Sequence, residues 1–171
     1  MAECIFEGFG ERTLSAGEFG VSHDPCVLIL CDQGASREEW TETAEALANA
    51  GRHVFTLPLR DDSDIAALIG DLNAVLRQLS SRPVLVGAGL GALIATIVLG
   101  EGEPDLASGL VITAHSPGLS ARTGAEQEFW SDCGARAILA AAHIQLSSLA
   151  IWTGDDSILT KIADTVPHME L

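Results

Sequence analysis

Three glycines at alternate positions, Gly87, Gly89 and Gly91, lie inside the segment PVLVGAGLGALIATIVLG, residues 83–100. They separate a short strand-like run from a long apolar run. A glycine-rich turn between a strand and a helix is typical of two kinds of site. In one, the amides at the start of the helix hold a pyrophosphate. In the other, the central residue of the turn presents a nucleophile, but Gly89 carries no such group.

Dinucleotide binding through Gly87–Gly91 is the first interpretation. The residues read GxGxxA and fit the nucleotide-binding pattern. However, two strand–helix units precede the motif. The acidic residue expected about 20 positions later is also missing, because Thr113, Ala114 and His115 stand there. Too little chain follows to complete a large nicotinamide- or flavin-binding sheet, so dinucleotide binding remains an alternative.

The elements that must position this turn alternate between strands and helices. Apolar runs predict five core strands, at residues 27–31, 53–57, 83–87, 110–113 and 149–153. Ser36 and Glu39 form a capping-box pattern that begins the first helix, and Asp62 or Ser63 begins the next. This alternation predicts an α/β fold, with a mostly parallel sheet and helices on both faces.

The whole chain, residues 1–171, is short enough to predict a single domain. Residues 1–22 predict an exposed N-terminal hairpin with a glycine-rich turn. Residues 118–143 predict a helical segment.

Composition excludes several kinds of partner. The net charge of −15 makes nucleic acid and anionic membranes poor partners. Lys161 is the only lysine beside eight arginines, which fits a GC-rich or salt-adapted bacterial source. The acidic N-terminus lacks a long apolar core, so we expect no signal peptide and a cytoplasmic protein. The four cysteines and five histidines show no metal-ligand spacing, so we expect free thiols, no metal and no cofactor.

Four segments in order resemble the α/β-hydrolase family: VLILCDQGASREEW with the helix and strand that follow, RPVLVGAGLGALIA, LASGLVITAHSPG, and LSSLAIWTGDDSILTKIADTVPHMEL. The resemblance covers roughly residues 25–117 and 143–171. It implies a nucleophile elbow at Gly87, Gly89, Leu90 and Gly91, with glycine where the family has serine. It also implies that the backbone amides of Gln33 and Leu90 form an oxyanion-hole-like pair.

The same resemblance implies several losses. The catalytic acid corresponds to Asp156, or less closely to Asp155. The family's catalytic histidine lies beyond one more strand, and the sequence stops at Leu171, before that point. We therefore expect a reduced cap, a missing last strand, an unpaired fifth core strand and no Ser-His-Asp mechanism in this chain.

Three other residues are candidates for a displaced site. Asp32 follows a buried strand and is either a base or a cap; its charge opposes anion binding unless it is protonated or paired. His115 follows the fourth core strand and either forms an acid–base pair with Asp32 or is a hydrogen-bonded loop residue. Cys31 is either a nucleophile or a buried structural thiol.

The sequence therefore favours a non-catalytic α/β-hydrolase-like protein, acting as an interaction subunit or a binder of a small carbonyl or carboxylate ligand. A copy of itself or another protein subunit would cover the exposed sheet edge. The alternatives are a hydrolase or lyase that uses Asp32 with His115, or Cys31, on esters, thioesters or carbonyl compounds, and dinucleotide binding through Gly87–Gly91.

Overall fold

The fold is built on one sheet of eight strands, as seen in a computed structural model. The structure describes residues 1–61, 64–103, 105–113, 124–151, 157–167 and 169–170. The strands are β1 (Ala2–Glu7), β2 (Thr13–Phe19), β3 (Cys26–Leu30), β4 (His53–Leu57), β5 (Val84–Ala88), β6 (Gly109–Thr113), β7 (Ser148–Ile151) and β8 (Met169–Glu170). Their spatial order is β1-β2-β4-β3-β5-β6-β7-β8. Following this order from β4 through β3 to β8, each strand is parallel to the next.

Helices cover both faces of the sheet, which confirms the predicted α/β class. A 3₁₀ turn, Arg37–Trp40, leads into α1 (Thr41–Asn49). The helices on the opposite face are α2 (Ile65–Gln78), α3 (Leu90–Glu101), α4 (Ala125–Ala141) and α5 (Ser157–Thr165). None of the helices in the described ranges is long and apolar enough to cross a membrane.

The central strands are buried along their whole length because the sheet is covered on both sides at that point. All five residues of β3 and of β4 are buried. Leu28 and Leu30 join a large core beneath α2 and α3, whereas Val27 and Ile29 join a smaller core beneath α1. Residues 90–99 of α3 are all buried, so this helix needs no polar face.

The ends of the early helices differ in detail from the sequence prediction. The amide of Ser36 donates to Glu39 Oε1 at 3.2 Å, as the capping-box pattern predicted. The cap of α2 is Asp64, whose carboxylate accepts from the amides of Ala66 and Ala67. Asp62 and Ser63, the predicted start of this helix, lie outside the described residues.

The N-terminal hairpin is part of the core rather than exposed. β1 and β2 pair with each other in antiparallel register, and β2 also pairs with β4. Phe6 and Leu14 are buried in the large core. The amide of Phe9 donates to Asp71 Oδ1 at 2.7 Å, which ties the hairpin turn to α2.

The prediction that the last strand is missing and the fifth core strand unpaired was wrong. Met169 and Glu170 form β8 and pair in parallel with Ser148 and Leu149 of β7. A strand of two residues gives no hydrophobic periodicity, so the sequence pattern could not reveal it. Ala150 and Ile151 lie beyond this short pairing.

Candidate functional site

The turn between β5 and α3 has a backbone that favours glycine at its centre. Gly89 has φ +53° and ψ −120°, a conformation that side-chain-bearing residues adopt only with strain. Its amide donates to the carbonyl of Thr113 at 3.2 Å, and its own carbonyl accepts from the amide of Ala92 at 3.1 Å. The turn is therefore fixed on both sides by backbone hydrogen bonds.

Internal packing accounts for each of the three glycines of this turn. A Cβ on Gly87 would lie 2.5 Å from the Cα of Ala92, and a Cβ on Gly91 would lie 2.6 Å from the carbonyl oxygen of Leu30. A Cβ on Gly89 would lie 2.3 Å from the Cγ of Asp32. Close approach between parts of the same chain explains the spacing without a bound pyrophosphate.

Asp32 places its carboxylate at the start of α3. The residue follows β3 and is only 3% exposed. Its Oδ1 accepts two hydrogen bonds, from the amide of Gln33 and from the amide of Leu90, each at 2.8 Å. The Leu90 amide is the first of α3, so the carboxylate also meets the positive end of the helix dipole. One oxygen of a buried carboxylate is therefore satisfied by backbone donors.

The two amides predicted to form an oxyanion-hole-like pair therefore meet on a single atom, and that atom belongs to the chain itself. An incoming anion can reach these donors only if Asp32 moves away. The same carboxylate fills the space beside Gly89, because its Oδ2 lies 2.3 Å from where a Cβ at residue 89 would be. No donor from the described residues bonds to Oδ2.

Cys31 lies next to this carboxylate but is fully buried. Burial, and secondarily the negative charge of Glu39, raises the pKa of the Cys31 thiol to about 12. Because the thiolate is the nucleophilic form, this environment argues against Cys31 as a nucleophile. It supports the structural interpretation of this residue instead.

Two other predicted site residues, His115 and Asp156, lie outside the described residues, as does Asp155. No group of three or more His, Cys, Asp or Glu side chains within the described ranges is arranged to hold a metal ion. All four cysteines are free, and Cys4 is the one that is not buried.

Two buried polar contacts were not recognised from the sequence. His53 is 6% exposed and its Nε2 lies 2.7 Å from Glu18 Oε1. Arg60 forms a two-point ion pair with Asp71, with Nε and Nη2 at 2.6 and 2.8 Å from its oxygens. The two pairs are 35 and 11 residues apart and each joins different segments of the fold, so local spacing held no signal for them.

The sequence itself matches no protein-family model and no curated protein. Solved structures do match its fold. The thioesterase domain from the curacin biosynthetic pathway is 14% identical with a TM-score of 0.75, over 99% of this chain and 90% of that one. The esterase RhEst1 from Rhodococcus sp. ECU1013 is 14% identical with a TM-score of 0.76, over 99% and 89%.

A third similar structure is epoxide hydrolase A from Mycobacterium thermoresistibile, 23% identical with a TM-score of 0.59, over 68% of this chain and 40% of that one. The three proteins carry the names of different reactions on one fold. At these identities the comparison establishes the fold alone: the chain has the α/β-hydrolase fold, as the sequence resemblance predicted.

Proposed function

We propose that this chain uses the α/β-hydrolase fold without hydrolysis, as a non-catalytic interaction subunit or small-ligand binder. One observation carries the proposal. The Asp32 carboxylate occupies both backbone donors at the start of α3 and the space beside Gly89. The nucleophile is absent, and its position is filled from inside the protein.

Acyl transfer on this fold needs a nucleophile and an oxyanion hole at this turn. A side chain must attack the carbonyl carbon, and free hydrogen-bond donors must lie about 2.7–3.1 Å from the oxyanion that develops. Gly89 supplies no attacking group. The Gln33 and Leu90 amides already lie 2.8 Å from Asp32 Oδ1, and a carboxylate at that place repels a developing negative charge.

The remaining exposed strand positions support an interaction role. Within the described ranges β8 pairs with two residues of β7, and Ile151 of β7 is 54% exposed. Partly paired strands with apolar side chains are usually covered in a complex. We propose another subunit, or a second copy of this chain, as the partner, and native mass spectrometry should give a mass well above 17.9 kDa. Free thiols support a reducing, cytoplasmic setting.

The proposal is tested by assaying hydrolysis of p-nitrophenyl esters and acyl thioesters over a range of chain lengths. We expect rates equal to the buffer blank for the natural chain. Saturable turnover that copurifies with the folded protein would overturn the non-catalytic assignment.

A displaced catalytic site is the second candidate, and the second carboxylate oxygen of Asp32 favours it. Oδ1 is held by two amides, while no described donor bonds to Oδ2, so that oxygen can accept a proton. Asp32→Asn and His115→Ala are the test variants. Glu38→Gln, an exposed acid in the 3₁₀ turn that follows, is the matched control. Any turnover found should fall in the test variants and not in the control; unchanged turnover would rule out this site.

A further inference from the structure

Asp32 leaves one of its carboxylate oxygens without a protein partner. Oδ1 accepts from the amides of Gln33 and Leu90, each at 2.8 Å, whereas no hydrogen bond or ion pair from the described part of the chain reaches Oδ2. The side chain is only 3% exposed, so bulk water solvates that oxygen poorly. A buried polar atom with no partner is uncommon and needs an explanation. Oδ2 is an acceptor that is still open.

The open oxygen lies beside the glycine at the centre of the turn. Oδ2 is 2.3 Å from the place where a Cβ on residue 89 would be. Gly89 has no side chain to cover it and is itself half-buried, so solvent reaches this side of the turn. A donor that enters over Gly89 therefore meets Oδ2 first, because Oδ1 already accepts from two amides.

The electrostatic surroundings of the open oxygen are negative. Burial first, and then the charges of Glu39, Glu38 and Asp32, raise the pKa of the neighbouring Cys31 thiol, and no positively charged side chain of the described ranges counters these acids there. Arg37 is the cation nearest in sequence, but its Nη1 donates to the hydroxyl of Ser15 and its Nε lies 3.4 Å from Glu38 Oε1. A cation from outside the chain is therefore favoured at this place.

We infer that Oδ2 of Asp32 binds a primary ammonium group, carried on an alkyl chain. The inference rests on the proposed role as a small-ligand binder and specifies the class of ligand. An ammonium ion brings a full positive charge and three N–H donors, so one of them can bond to Oδ2 while water at the mouth of the turn accepts the others.

Other charged groups fit this oxygen less well. A guanidinium group is matched best by both oxygens of a carboxylate, and Oδ1 is taken. A quaternary ammonium ion has no N–H to donate. A carboxylate ligand would be repelled by Asp32, although the amides of Gln33 and Leu90 would otherwise suit it.

A metal ion is also a poor fit. Ca²⁺ takes about 6–8 oxygen ligands, and structural Zn²⁺ sites have about four protein ligands. Within the described ranges no group of three or more His, Cys, Asp or Glu side chains is placed to hold a metal. One open oxygen suits a ligand that needs a single strong acceptor.

The test titrates n-butylammonium chloride into the ¹⁵N-labelled full chain at constant ionic strength. Tetramethylammonium, guanidinium and n-butyrate are titrated in the same way. We expect n-butylammonium to shift the amide signals of Gln33, Gly89 and Leu90 in a saturable manner, and to bind at least roughly tenfold more tightly than the other three ions. Equal binding of tetramethylammonium, or binding of n-butyrate at these amides, would overturn the inference.

A lysine side chain carries the same group as a free amine, so Nα-acetyl-lysine amide is titrated in parallel. Tighter binding than that of n-butylammonium would support the inference with a lysine of a partner protein as the source of the ammonium. Equal or weaker binding would support it with a free alkylamine as the source.

Asp32→Asn is the test variant, because asparagine keeps an acceptor for the two amides and puts a donor in the place of Oδ2. Asp164→Asn is its matched control, with the same loss of one negative charge. Asp164 is exposed near the end of α5, which leads into β8, so it lies at the opposite edge of the parallel strands from Asp32. Asp32→Asn should weaken n-butylammonium binding at least roughly tenfold, and Asp164→Asn less than about twofold.

Binding that survives Asp32→Asn would contradict the assignment of this oxygen. If Asp32→Asn does not fold, the comparison of the four ions on the natural chain still decides the matter. The two proposals also fail separately. Ester or thioester turnover would refute the non-catalytic role without altering the ammonium titration. Absence of ammonium binding with no turnover would refute the ligand class and leave the non-catalytic assignment in place.

Discussion

Gly89→Ala should destabilise the protein through Asp32, and the size of the effect can be worked out from the turn. The new Cβ would lie 2.3–2.4 Å from all three atoms of the Asp32 carboxylate group, so the carboxylate must leave its place. Positive φ alone costs a side-chain-bearing residue about 1–2 kcal/mol. Breaking hydrogen bonds to a charged group adds about 1.5–3 kcal/mol each, partly offset when the group finds water. We expect a total loss of about 4 kcal/mol.

A double-mutant cycle separates these two contributions. In an Asp32→Ala background the contact disappears, so Gly89→Ala should cost only the backbone term of about 1–2 kcal/mol. The coupling energy between residues 32 and 89 should therefore be about 2 kcal/mol. Gly51→Ala is the matched control: Gly51 has φ +75° and a Cβ there would meet nothing within 4 Å.

Urea unfolding followed by tryptophan fluorescence gives the free energies of unfolding for the four proteins of the cycle and for the control. A Gly89→Ala cost that is the same with and without Asp32 would contradict a contact between the two residues. A cost no larger than that of Gly51→Ala would refute it as well, because the carboxylate would then not be filling the turn.

Three further predictions follow from other contacts. Iodoacetamide at about pH 8 should label Cys4 and leave Cys31 unmodified in the folded protein, because burial raises the Cys31 pKa to about 12. Peptide mapping by mass spectrometry checks this. Labelling of Cys31 in the folded protein would contradict it. Asp71→Asn should lower the free energy of unfolding by about 3 kcal/mol, since it removes a carboxylate that forms a two-point ion pair with the buried guanidinium of Arg60. An unchanged urea midpoint would contradict this. Glu101→Gln should cost about 0.5 kcal/mol at neutral pH, because its partner Arg136 is also partly exposed. Arg136 lowers the Glu101 pKa below 4.5, so this contribution is present above pH 4.5 and disappears as pH falls through the lowered value; an equal cost at low pH would contradict that assignment.

The sequence predicted the parallel core because its signals there are long and local. The continuous apolar run of β3, the mostly apolar β4 and the nearly all-apolar helix α3 each identify a buried element without reference to the rest of the chain. The hairpin was predicted as exposed because its alternating pattern did not reveal that β2 pairs with β4. Pairing between segments distant in sequence is a property of the assembled sheet.

The site was predictable as a set of backbone positions but not as an arrangement of contacts. Gly89, Leu90 and Gln33 followed from the turn and the family resemblance. The position of the Asp32 carboxylate on the Leu90 amide depends on how the loop after β3 meets a helix 58 residues later. An aspartate that ends a strand has several possible caps, and only the packed structure determines which helix it caps.

The most direct test of whether Asp32 occupies the start of α3 is the chemical environment of the Leu90 amide, measured by ¹H–¹⁵N NMR in the natural chain and in Asp32→Ala. Because the amide donates to a carboxylate, we expect a downfield, slowly exchanging Leu90 amide proton that moves upfield and exchanges faster when the carboxylate is removed. Because Leu90 is 58 residues from position 32, a local sequence effect cannot produce this change. A Leu90 amide signal that is unaffected by Asp32→Ala would contradict the claim that the chain fills its own site.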